Sequence, residues 1–356
     1  MNKEGCANMM NSKSTIKMIY DHLQDKESKT VFANRLLYSL TEDSAYMDQI
    51  VKTLYSRTGM GEIIDFCREH LDETVVYGAG NDLSILVNLY SDFRFKYICD
   101  GDAEKQKRGW NGFPVMSPEE LIKKKENVYV IIISSHYNEE ILHFLLNSGF
   151  AKERIINLGG RIEQMHEEQY FDREIITPCP EETFIDGGCY ECDTDKLFIT
   201  WCSGNYKKII AFEPDEENYR KCLEVRKKEN IAKLDIYPKG LWDCETELFF
   251  SGDRGVGSQI GEGAEAVRIF TATIDETVGD DEVTFIKLDV EGAELKALKG
   301  ARKTIQKYRP KLAVCIYHKP EDVIEIPEYI LSLHKDYKLY IRHYLLTRYE
   351  TVLYAL

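Results

Sequence analysis

The chain has 356 residues, 43% hydrophobic and 30% charged, with a net charge of −15. That length exceeds one ordinary core and sets two domains as the expectation, while the acidic balance argues against a nucleic acid partner, whose phosphates are bound by clustered Lys and Arg. No window reaches the roughly 18 apolar residues of a membrane helix, the start MNKEGCANMM lacks the apolar run of a signal peptide, and ten cysteines then read as reduced thiols in a cytoplasm.

Residues 1–70 carry Ile16, Ile19, Leu23, Val31, Phe32, Leu36, Leu37 and Leu40 at three- and four-residue spacing, which predicts a helical N-terminal arm. At TVVYGAG, residues 74–80, the pattern changes to a strand and a glycine turn. Helix NDLSILVNLYSD, strand FKYICDGD, helix SPEELIKKK, strand VYVIIISS, helix NEEILHFLLNSG and strand RIINL follow. Strands alternating with helices predict a parallel, doubly wound sheet, here a Rossmann-like accessory domain over 71–160. The polar segment 161–182, with Pro178 and Pro180, reads as a linker or a short connecting helix.

Alternation restarts at FIDGG and defines a second α/β domain over 183–356. Its strands are FID, KKIIAFEP, KLDIYPKGLW, VTFIKLDV and KLAVCIYH. A hairpin-like ETELFFSGDRGVGSQI interrupts them, and YKLYIRHY with ETVLYAL predicts an antiparallel pair at the sheet edge. The fold class is therefore α/β, two doubly wound Rossmann-like domains preceded by a helical arm.

Ligands of open α/β sheets bind beyond the carboxyl ends of the strands. Those ends here carry Asp186 with Gly188, then Glu213, then Trp242 with Asp243, then Asp289 with Glu291, and finally Tyr317 with His318. An acid at four successive ends is costly repulsion unless a cation gathers them. Asp215 and Asp275 read as helix caps instead. Glu213 lies 25 residues after Gly188, where an acid can bind both hydroxyls of a ribose. Glu191 and Asp193 crowd the helix start with negative charge, which disfavours a pyrophosphate. A cationic nucleoside without phosphate fits better, and S-adenosylmethionine is one. Asp186 or Asp289 would take its ammonium, the Gly188 turn would admit it close to the main chain, and Trp242 with Asp243 would bracket its adenine. Asp289, Glu291 and His318 are the candidates for orienting and deprotonating an acceptor hydroxyl. Lys287, two residues before Asp289 on the same strand face, would keep that acid ionised. Cys189 and Cys192 form a C-x-x-C, but without a second pair or a histidine at finger spacing they read as small buried thiols. No metal is expected.

The run FIDGGCYECDT, IIAFEP, FIKLDVEGAELKALKGA, LAVCIYHKPEDVIEIPEYI and ETVLYAL resembles the FkbM family of S-adenosylmethionine-dependent methyltransferases over residues 182–356. KLDVEGAE is its most specific element. The resemblance implies a class I methyltransferase fold, O-methyl transfer to hydroxyls of sugars, glycans or polyketide-derived compounds, and cofactor roles for Asp186, Gly188, Glu213 and Asp289. The family turn D-x-G-A-N-x-G is replaced here by Asp186-Gly187-Gly188-Cys189-Tyr190-Glu191-Cys192.

In the first domain Gly78 and Gly80 fit a dinucleotide turn, Leu83 stands where its third glycine belongs, and Asp100 lies 20 residues past Gly80. The stretch VVYGAGN through NGFPVMSPEEL to IIISSHYNEEI resembles the small Rossmann-like domains of sugar-modifying transferases, and reads as a substrate-presenting or homodimerising module that has lost its ligand. Two other readings remain open at this point. One is an oxidoreductase or epimerase with NAD or a nucleotide-sugar at 75–100. The other is a non-catalytic two-domain binding protein with a vestigial cofactor site.

Overall fold

The computed structural model describes residues 3–250 and 267–356. Part of the expected hairpin, SGDRGVGSQI, lies outside the described residues. The chain divides into two compact units. The first gathers residues 1–47, 168–343 and 348–356, and the second 48–167 and 344–347. No helix among the described residues is long and apolar enough to cross a membrane.

The second unit holds a five-stranded parallel sheet. Its strands are β1 (Thr74–Tyr77), β2 (Tyr97–Cys99), β3 (Val115–Met116), β4 (Tyr129–Ile132) and β5 (Ile155–Asn157), in the order β3-β2-β1-β4-β5. All four ladders are parallel. Val75, Val76, Val130, Ile131 and Ile132 are buried, as a sheet covered on both faces requires.

The first unit holds the larger sheet. Its strands run β6 (Glu182–Gly187), β7 (Tyr206–Phe212), β8 (Leu234–Tyr237), β9 (Gly240–Leu241), β10 (Glu247–Phe250), β11 (Val267–Ala272), β12 (Phe285–Leu288), β13 (Lys311–Cys315), β14 (Leu339–His343) and β15 (Thr351–Ala355). Seven of them form one sheet in the order β14-β15-β13-β12-β6-β7-β8, while β10-β11-β9 form a small second sheet. The pairs among β6, β7, β8, β12 and β13 are parallel, and β15 runs antiparallel between β13 and β14. The expected terminal pair is present, with β14 as the edge. The order turns back between β6 and β12, so the switch point of the sheet falls where Asp186 and Asp289 end their strands.

Two expected boundaries shift. The 1–70 arm is not one element, because its apolar stripes serve different cores. Helices Lys3–His22 and Lys26–Thr41 belong to the first unit, where Ile19, Leu23, Val31 and Phe32 are buried. Arg342 donates from Nη2 to Asp25 at 2.8 Å and from Nη1 to the Ser28 hydroxyl at 3.0 Å, fixing the second helix to β14. Helix Met60–Glu69 and most of Ser44–Arg57 belong to the second unit, with Leu54, Tyr55 and Ile63 in its core. Nor is 161–182 a plain linker. Helix Leu158–Glu167 takes its start, and Tyr170, Phe171 and Ile176 are buried. Phe171 packs within 6.0 Å of Phe184, Phe198, Trp201 and Phe285, ring centroid to ring centroid. Polar neighbours hid this aromatic anchor in the sequence.

Candidate active site

The turn after β6 brings three strand ends together. Gly188 has φ +79°, and a Cβ there would lie 2.0 Å from the Asp289 carbonyl oxygen. At Gly187 a Cβ would meet Leu241 and Leu288 at 2.8 Å. The glycine pair thus lets β6 lie close against its neighbours, a packing reason for the order Asp-Gly-Gly.

Asp186 does not open toward a ligand. It is fully buried beside Lys287, whose ammonium donates to Asp186 Oδ1 at 2.9 Å and to the carbonyls of Gly187 at 3.1 Å and Gly188 at 2.7 Å. Those three acceptors use all three donors of the ammonium. Burial works against the lysine's charge, yet the neighbouring carboxylates outweigh it and raise its pKa. The expected ammonium site at Asp186 is therefore already filled by a cation of the protein.

Asp289 is reachable, with 23% of its side chain exposed. Its Oδ2 accepts from the Tyr170 hydroxyl at 2.8 Å and its Oδ1 from the Tyr317 hydroxyl at 3.1 Å. Burial raises its pKa, but Lys287, His318 and the bond from Tyr170 prevail and hold it below the usual carboxylate range. Lys287 thus supports Asp289 through its field while its own bonds go to Asp186 and the turn.

His318 stands among acids. Its Nδ1 lies 2.9 Å from Glu294 Oε1, and its Nε2 lies 3.6 Å from Asp289 and 3.5 Å from Glu291. This close approach to Glu294 favours the charged imidazole. Burial lowers the imidazole's pKa, but Glu294, Asp289 and Glu291 together push it up to about 9. With 1% of its side chain exposed, His318 is an enclosed cation rather than an open base. Glu291 is the opposite case, 82% exposed and in a left-handed turn at φ 54°. Glu294 accepts from the Val290 amide at 2.8 Å, so it caps as well as pairs.

Glu213 closes the other side of the turn. Its carboxylate accepts from the amides of Tyr190 at 3.0 Å and Asp215 at 2.9 Å. Burial, the largest influence, raises its pKa to about 7. Tyr190 points outward and leaves the turn open. Trp242 and Asp243 sit apart, after β9, and share Lys296, which lies 5.3 Å above the indole and 2.7 Å from Asp243. No hydrogen bond or ion pair among the described residues joins them to Asp289. Asp215 caps helix Glu216–Lys228 as expected, whereas Asp275 accepts from the amides of Lys303 and Thr304, at the start of a later helix.

Three residues of the site escaped the sequence reading. Tyr170 lies in the presumed linker. Tyr317 was seen only as a strand end. Glu350, which shares the Tyr317 hydroxyl at 3.3 Å, lies between the last two strands. Burial raises its pKa to about 7. Nothing in local spacing marks Tyr170 or Glu350, because topology alone carries them to Asp289.

A family model for the methyltransferase FkbM domain matches residues 192–343, and one described as C2185-like, N-terminal, matches 71–156. The C-terminal part of the chain is an FkbM methyltransferase domain. Its seven-stranded sheet is the class I methyltransferase fold that the resemblance implied. A methyltransferase FkbM from Methylobacillus flagellatus KT is similar in structure at 17% identity and TM-score 0.48, covering 86% of this chain and 99% of that one. An rRNA methylase from Streptococcus thermophilus is similar at 15% identity and TM-score 0.35, covering 55% and 93%. A SAM dependent methyltransferase from Aquifex aeolicus is similar at 14% identity and TM-score 0.30, covering 55% and 96%. No curated protein matches the chain.

The second unit has its own concavity at the carboxyl ends of β1, β2 and β4, about 710 Å³ and lined by Tyr77, Gly80, Asp100, Lys105, His136 and Tyr137 among others. Asp100 is turned into its loop, accepting from the Ala79 amide at 2.8 Å and from Lys105 at 2.9 Å. The FkbM domain and this cavity lie in different units.

Proposed function

We propose that the FkbM domain transfers a methyl group from S-adenosylmethionine to a hydroxyl of a sugar or glycan. The observation that carries this reading is Asp289, ionised and accessible at the switch point, between two tyrosine donors and the turn after β6. Around it Glu291, Glu294 and Glu350 leave His318 outnumbered, so the site has negative charge to spare for a sulfonium or ammonium. When bound, the cofactor supplies an electrophilic methyl group on a positively charged sulfur.

The chain's own residues divide the remaining work. Asp289 anchors positive charge. Glu213 spends one lone pair of each oxygen on an amide and keeps another for ribose hydroxyls. Glu291, the most exposed of the candidates, accepts the proton of the acceptor hydroxyl. His318, enclosed and cationic, holds Asp289 and Glu291 in place and does not itself take that proton. Asp186 keeps Lys287 under the turn, and Trp242 with Asp243 forms a more distant wall for the adenine.

Isothermal titration with S-adenosylhomocysteine tests the cofactor part. Glu213→Ala and Asp289→Asn should each weaken binding at least about tenfold, the loss of one or more good polar contacts. Unchanged affinity in both variants would refute the site. Mass spectrometry of sugars and nucleotide-sugars incubated with cofactor tests the acceptor, and methylation only at nitrogen would refute the hydroxyl. The cavity of the second unit favours one further reading, a nicotinamide or nucleotide-sugar ligand there. It requires NAD or a UDP-sugar to raise that unit's melting temperature.

A further inference from the structure

Three buried cysteines of the first unit take no part in the proposed reaction. Cys189 and Cys192 lie in the turn after β6, and Cys222 lies in helix Glu216–Lys228. All three are buried, and their sulfurs lie within 4.8 Å of one another. Cys189 Sγ and Cys222 Sγ are 3.7 Å apart. A tetrahedral zinc site with Zn–S near 2.3 Å has sulfur–sulfur edges of about 3.8 Å. The turn holds the pair C-x-x-C tightly, with the Cys192 amide donating to the Cys189 carbonyl at 2.8 Å.

Asp195 supplies an independent observation. It stands three residues after Cys192, on the first turn of helix Asp193–Trp201, and is completely buried. Neither of its carboxylate oxygens has a hydrogen-bond partner. Such a group in a dry interior is costly unless something binds it. Its carboxylate neighbours Cys192 but lies outside the 4.8 Å group formed by the three sulfurs.

We propose that Cys189, Cys192 and Cys222 form the preassembled part of a structural zinc site, and that the neighbouring buried Asp195 is drawn in as fourth ligand when the ion binds. Thiolates select zinc, copper(I) or iron–sulfur groups over magnesium and calcium, and an oxygen completing a tetrahedral set of sulfurs suits zinc among these. On binding, the protons held by the thiols and by the Asp195 carboxyl pass to the solvent, so that the ion is held by three thiolates and a carboxylate. Four protein ligands leave no open position, so the ion is structural rather than catalytic. It would staple the turn after β6 to helix Glu216–Lys228, and with it the Tyr190 amide that Glu213 accepts. The site reverses the expectation that these thiols are inert, which rested on the missing second C-x-x-C. The third sulfur comes from a helix 30 residues further on, beyond any local spacing.

The test uses untagged full-length protein grown with zinc, dialysed against a weak chelator, and measured for metal by mass spectrometry. We expect about one zinc per chain in the wild type and in Cys244→Ser, and loss of most of it in Cys189→Ser and Cys222→Ser. Asp195→Asn should release zinc to a chromogenic chelator about tenfold faster or more. If the cysteine variants fail to fold, cobalt(II) in the wild type decides the matter. An intense thiolate-to-cobalt band with tetrahedral ligand-field absorption supports the site. Substoichiometric zinc, a pale octahedral cobalt spectrum, or a disulfide among the three cysteines in anaerobically purified protein overturns it.

Discussion

Lys287 shows how one side chain can serve two acids. The strand alternation placed it on the face of Asp289, and its field does act there. Its bonds, however, go to Asp186 and the carbonyls of the glycine turn. Removing the lysine would leave a fully buried carboxylate without a counter-charge, the costly way to break an interior pair. Lys287→Met should therefore lower unfolding free energy by about 3–5 kcal/mol in urea titrations. Adding Asp186→Leu to it should recover a large share of that loss. If the single substitution is neutral, Lys287 is not the counter-charge of Asp186. The distinction between a ligand-facing acid and one consumed by the fold is absent from sequence, because both sit at a strand end.

At the level of elements, most of the architecture was legible. Alternating strands and helices predict both parallel sheets, and the run of β-branched residues in VYVIIISS marks β4 as doubly covered. The antiparallel character of the last pair follows from the short connection between them. What was not legible is non-local: Phe171 in an outwardly polar segment, and Tyr170, Glu350 and Cys222 brought to their partners by topology. The glycine turn is an intermediate case. Its position was read correctly, and the structure adds a packing reason to the expected ligand approach, since the Cβ at Gly188 would strike the main chain of Asp289. Gly188→Ala should consequently cost well beyond the ~1–2 kcal/mol of a left-handed alanine alone. Gly204→Ala has a similar φ of +74° and nothing within 4 Å of its new methyl, so it should stay within that range. Equal losses in the two variants, measured by chemical denaturation, would remove the packing argument.

For the molecule as a whole, the division into two units separates responses that a single melting temperature would blur. Phe32 is buried in the first unit and Leu54 in the second. Truncating either to alanine should cost about 3 kcal/mol. In scanning calorimetry, Phe32→Ala should lower the transition that S-adenosylhomocysteine raises, and Leu54→Ala should leave that transition in place. One common shift for both variants would mean that the units unfold together.

The placement of β15 between β13 and β14 also governs how this protein can be made. Residues 351–355 must be synthesised before the central sheet of the methyltransferase unit can close. The helices that complete that unit begin near the opposite end of the sequence. The position between β13 and β14 therefore stays unfilled, bordered by strands with unpaired amides, until residues 351–355 are made. The strands of the accessory unit are all contained within residues 74–157, so its sheet can form much earlier, with residues 344–347 joining that unit last.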